Sequence, residues 1–163
     1  MITPEIIEEN LPKVVRWVTE MEKTILQDGQ PLSPQNRRDA EEIGVHRIDD
    51  VRVIVLDSIP RPGDATLRQL AEEAGLIIDG SDGMTFGHGI VIKSGSNDRK
   101  VIAHELVHVR QNETLGGIEP FLKEYVKEVV FPPGYPNGPL EQEAIMLAAY
   151  VTAPRNRNGP GYQ

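Results

Sequence analysis

The chain has 163 residues, 39% hydrophobic and 26% charged, the balance of a folded globular protein with enough length for a proper core. A net charge of -8 and a pI near 5.0 argue against nucleic acid or a membrane as the main partner, since both are held by basic surfaces. Cysteine is absent, which excludes disulfides and thiolate metal sites and leaves His, Asp and Glu to hold any metal.

The opening MITPEIIEEN lacks the basic start, apolar run and cleavage site of a secretory signal. No stretch approaches the ~20 apolar residues of a membrane helix. A cytoplasmic protein is expected, with a leaderless export route left open. Residues 1–153 are expected to form a single domain whose first 50 or so residues are helical. The last ten, PRNRNGPGYQ (154–163), carry too little apolar surface to pack and are expected to be a loose tail.

In chain order, Asn10 with Pro12 predicts the start of a helix. Leu11, Val14, Val15, Val18, Met21 and Ile25 then recur with helical period up to Gly29. Ser33-Pro34 opens a shorter helix ending at Gly44. The β-branched run Val51 to Asp57 reads as a strand, and Asp64 caps a helix that stops at Gly75. Leu76-Ile77-Ile78, the turn Gly80-Ser81-Asp82-Gly83 and the apolar stretch Met84 to Ile92 fit two or three short antiparallel strands. Asn97 or Asp98 then caps a helix ended by Gly116-Gly117. A helix over Ile118 to Val130, the stiff loop FPPGYPNGP and a last helix from Pro139 to about Ala153 complete an α+β chain.

The helix after Asp98 carries His104-Glu105-Leu106-Val107-His108. Residues four apart share a helix face, so both imidazoles can reach one metal ion while Glu105 flanks it, the arrangement of a zinc peptidase site. This composition produces such a pattern by chance in about one chain in a hundred. Ile102, Leu106 and Val109 form a separate apolar stripe, so the helix is half core and half site. Gln111, one turn past His108, is a candidate support for that histidine, and Arg110 reads as a surface charge.

A catalytic zinc normally has three protein ligands and one open position. The third is not a histidine six residues on, because position 114 is Thr114. Glu141 and Glu143 on the last helix are the candidates, and the 33 residues between 108 and 141 suffice for the chain to turn back. Glu141 is preferred because it shares a face with Ile145 and Ala148, while Glu143 points about 160° away on an ideal helix.

HELVHVRQ, LGGIEPFLKEYVKE and YPNGPLEQEA together resemble small bacterial zinc metallopeptidases related to the minigluzincins, in the gluzincin division of the zincins. The resemblance covers about Gly87 to Tyr150 and does not extend to the first 80 residues. It implies a zincin-like fold, with a small, mostly antiparallel sheet packed on the motif helix. It also implies a zinc ion held by His104, His108 and a downstream glutamate, matched here by Glu141-Gln142-Glu143-Ala144. Where many such proteins next carry Asp or Asn, this chain has Ile145, so the carboxylate that would orient a ligand histidine is missing.

The activity implied is peptide hydrolysis by zinc-activated water with Glu105 as general base, on a peptide or flexible protein segment. An extended substrate is expected to add to an edge strand, for which Gly87 to Ile92 is the candidate. His88 on that strand and Tyr135 before Glu141 are the candidates to stabilise an oxyanion. In a chain of this length the cleft is expected to be shallow. One alternative is a catalytically weak or inactive zinc-binding module acting through a protein partner, against which Glu105 speaks. Another is an autoregulated form in which the N-terminal helices or the Pro-rich loop cover the zinc. The sequence says nothing of oligomeric state.

Overall fold

The computed structural model describes residues 1–75 and 80–155. Six α-helices and four strands occur among them: α1 (Pro4–Asp28), β1 (Gln30–Pro31), α2 (Pro34–Ile43), β2 (Arg52–Leu56), α3 (Ala65–Glu73), β3 (Gly83–Phe86), β4 (Gly89–Lys93), α4 (Arg99–Leu115), α5 (Ile118–Val130) and α6 (Pro139–Thr152). A 3-10 turn at Ile48–Asp50 precedes β2. The fold is α+β. None of these helices is long and apolar enough to cross a membrane.

Helix α1 begins earlier than Asn10. Thr3 caps it, its hydroxyl accepting from the Ile6 N–H at 3.3 Å, with Pro4 in the first turn. Thr3-Pro4 is the stronger start signal. Asn10 instead donates its side-chain amide to the Ile6 carbonyl at 2.8 Å, and Pro12 lies inside the helix. The start of α2 at Ser33, of α3 at Asp64 and of α4 at Asp98 each carries a side chain accepting a backbone N–H, as read from the sequence. The strand expected at Leu76 to Ile78 and residues 156–163 of the expected tail lie outside the described residues.

The sheet order is β1-β2-β4-β3. β1 pairs with β2 and β3 with β4 antiparallel, but β2 and β4 run parallel, Arg52 opposite Gly89 through Leu56 opposite Lys93. The sheet is therefore mixed rather than mostly antiparallel. The connection from β2 through α3 returns the chain so that β4 runs alongside β2 in the same direction. β4 is also interior, not an edge, and among the described strands β1 and β3 lie at the two edges. Ile90, Val91 and Ile92 are fully buried, the continuous apolar run of a strand covered on both faces.

Two cores result, one on each side of the sheet. Ile90 and Ile92 pack with Leu106, Val107, Ala144, Ala148 and Val151, joining the sheet to α4 and α6. Val91 and Phe86 face the other way, against Val18 and Ile25 of α1 and Phe121 and Leu122 of α5. Gly89 permits this second contact: a Cβ there would lie 2.9 Å from the Ile25 side chain. The glycines around β4, expected to admit substrate backbone, thus admit α1. Asp39 of α2, 2% exposed, receives two hydrogen bonds from Arg99 at 2.8 Å, and Arg99 also donates to the Val151 carbonyl. That pair, with Asp39 buried and Arg99 at the surface, ties α2, α4 and α6 together.

Candidate metal centre

Helical spacing puts His104 and His108 one above the other on α4, their rings edge to face with centroids 5.0 Å apart. The crossing of α6 on α4, through Ala103, Ala144 and Ala148, brings Glu141 against both. Glu141 Oε1 lies 2.7 Å from His104 Nε2, and Oε2 lies 3.2 Å from His108 Nε2. One ligand atom from each residue falls within 4.8 Å of the others. Two imidazole nitrogens and a carboxylate oxygen at this spacing are compatible with a metal site.

Glu143, the other candidate, is elsewhere. Its carboxylate accepts from Arg110 and, at 3.0 Å, from Gln111 Nε2. Gln111 is 3% exposed and spends its amide hydrogens on Glu143 and on the Leu140 carbonyl at 2.9 Å. Its oxygen is then left to face His108 Nδ1 at 2.8 Å. The amide orientation therefore makes Nδ1 the donor and leaves Nε2 as the ring nitrogen turned toward Glu141. Gln111 supplies the orienting contact that the apolar Ile145 cannot.

Tyr125 of α5 adds a contact that the sequence did not reveal. Its hydroxyl donates to Glu141 Oε2 at 3.1 Å, and its ring stacks on Phe121 while both rings meet the edge of His108. Burial, then the Glu141 charge, push the Tyr125 phenol far above its ordinary value, so it stays a donor. Burial also pushes the Glu141 carboxyl upward, but hydrogen bonds from His104 and His108 outweigh it and hold the group well below the usual carboxylate range. His108 is opposed by burial, yet its contact with Glu141 and the charges of Glu105 and Glu141 raise its pKa.

Glu105, 6% exposed, turns toward the sheet edge. Thr85 of β3 places its hydroxyl 2.6 Å from Glu105 Oε2 and 3.1 Å from the Glu105 carbonyl. At Gly83 a Cβ would lie 3.2 Å from Glu105 Cγ and Oε1, so the absence of a side chain there lets the edge strand approach this carboxylate. Neither Thr85 nor Tyr125 carried a sequence signal, because each acts across a contact between elements.

The two oxyanion candidates separate. Tyr135 lines the same cleft as His104, His108 and Glu141 and is 44% exposed. Burial and the charges of Glu141 and Glu105 raise its pKa, keeping it protonated. The structure places His88 outside the residues that line the cleft. Its Nε2 lies 3.0 Å from Glu113 Oε2, Nδ1 lies 3.9 Å from Glu22 Oε2, and its backbone N–H donates to Glu22 at 2.7 Å. Because β4 is interior, the β3–β4 turn that bears His88 lies against α1 and the end of α4.

The cleft has a volume of about 600 Å³. No protein-family model, no curated protein and no solved structure matches the chain.

Proposed function

We propose that this chain is a zinc-dependent metallopeptidase of the gluzincin type, with His104, His108 and Glu141 as ligands and Glu105 as general base. The observation that carries the reading is the meeting of Glu141 with both histidines at the floor of an open cleft, beside a buried glutamate on the same helix. A purely structural metal site has no use for that glutamate.

Zinc, when bound, supplies the Lewis acidity that activates water and polarises a scissile carbonyl. Glu105 takes the water's proton and passes it to the leaving amine, with Thr85 holding the carboxylate toward the cleft. Tyr125 braces Glu141 and Gln111 braces His108, so the ligand set is rigid before the metal arrives. Tyr135, a neutral donor on the cleft wall, is the better placed of the two oxyanion candidates. Among the described strands β3 pairs on one side only, with β4, and an extended peptide adds along its other side as a further strand.

The test combines metal analysis with hydrolysis of a broad peptide library. One zinc per chain and cleavage are expected, with Glu105→Gln lowering kcat by about 10²- to 10⁴-fold while zinc stays bound. A chain that holds zinc tightly but cleaves nothing would instead be a binding module.

A further inference from the structure

The cleft extends well beyond the candidate metal centre, and much of its wall is apolar. Leu11 and Val14 of α1, Leu70 and Ala71 of α3, and Val126 and Val130 of α5 line it. Among the described residues, α1, α3 and α5 contribute no charged side chain to the lining. The charged groups of the lining come from other elements: Arg61 in the β2–α3 loop, which pairs with Glu72 of α3 at 3.4 Å, Asp82 before β3, Lys93 at the end of β4, and Asp98 and Lys100 at the start of α4, besides Glu105 and Glu141 of the centre. The wall that α1, α3 and α5 form is thus largely apolar, apart from Asn10 of α1 and Tyr125 of α5.

Edge strand β3 also lines the cleft, through Gly83, Met84 and Thr85, and pairs only with β4 among the described strands. An extended peptide along that edge directs alternate side chains to the same side. Charged side chains sent to the apolar wall would lose water and gain no partner, whereas apolar ones are stabilised by leaving water.

Resting on the peptidase reading, we propose that the substrate is an extended segment with apolar side chains at alternate positions, its backbone on β3 and those side chains on the wall of α1, α3 and α5. Segments of that kind are buried in folded proteins. The substrate class is therefore unfolded or unstructured chain, selected by α1 and α3, which lie outside the motif region.

Trp17, the single tryptophan of the chain, lines the cleft and reports its occupancy by fluorescence. Zinc-loaded Glu105→Gln protein is titrated with end-blocked peptides apolar at alternate positions, and with matched peptides carrying Asp there. The apolar series should shift Trp17 emission and bind at least about tenfold more tightly. Leu11→Gln and Leu70→Gln should each erode that preference with zinc content unchanged. Equal affinity for the two series, no binding of either, or a preference that survives both substitutions overturns the proposal. So does saturation by a long-chain fatty acid in place of peptides, which would assign the trough to a lipid tail. Apolar binding without hydrolysis by the unsubstituted chain removes the peptidase reading and leaves the selectivity. Cleavage indifferent to apolar content does the reverse.

Discussion

Gln111 does at the residue scale what a carboxylate does in many metal sites. Its amide is fixed from behind by two acceptors, so its oxygen holds His108 Nδ1 and orients Nε2 toward the proposed metal. Gln111→Leu removes that hold while keeping bulk. Zinc affinity, measured by competition with a chelator, should fall about 10- to 100-fold. Glu143→Ala removes only one of the two acceptors behind Gln111, so its loss should be smaller. A greater loss in the Glu143 variant than in Glu141→Ala would show that the wrong carboxylate has been assigned as ligand. His104, Glu105 and His108 were legible because a helix fixes which residues share a face. Glu141 was legible as one of two neighbours. The supports Thr85 and Tyr125 were not, since a hydroxyl's partner is set by how β3 and α5 lie against α4 and α6.

At the scale of elements, α1 fits closely on β4. Ile25 packs over Gly89 so tightly that a Cβ there would lie 2.9 Å from two of its carbons. Gly89→Ala should destabilise the chain by about 1–3 kcal/mol, read as a lower urea midpoint with unchanged slope. Zinc affinity should change little, because Gly89 faces α1 and not α4. Helix starts and stops were readable from Ser33, Asp64, Asp98 and Gly116, whose capping chemistry is local. The α1 start was misread at Asn10 because Pro12 resembles an opening signal, yet Thr3-Pro4 supplies a stronger one. Strand neighbours were harder. Val51 to Asp57 and Met84 to Ile92 were recognised as strand material, but only the path through α3 makes β2 and β4 parallel and turns β3 into an edge.

Across the whole molecule, Glu113 joins distant parts of the chain. Its carboxylate accepts from the backbone N–H groups of His46 and Arg47, both at 2.8 Å, and faces His88, which also meets Glu22 of α1. Burial raises the Glu113 pKa, but the His88 contact and the two backbone hydrogen bonds outweigh it, and the net shift is downward. A depressed folded value means that the stabilisation is fully present above the unfolded carboxylate range. It is lost as pH falls through the folded value. Glu113→Gln should therefore lower the denaturant midpoint at neutral pH, and the gap from the unsubstituted chain should close in acid. A gap of constant size from neutral to acidic pH would show that the carboxylate's charge contributes nothing.

What the sequence determined by itself was the α+β composition, the motif helix and the pair of imidazoles with their flanking glutamate. Those features depend on helical period and capping, which act over a few residues. Tertiary structure decided which glutamate meets the histidines, which glutamine orients one of them, and which strands lie at the edges. It also turned His88 into a clamp beside Glu113 and made α1 and α3 walls of the cleft. Each of these outcomes depends on where elements far apart in sequence come to rest, and that is set by the two cores on either side of the sheet.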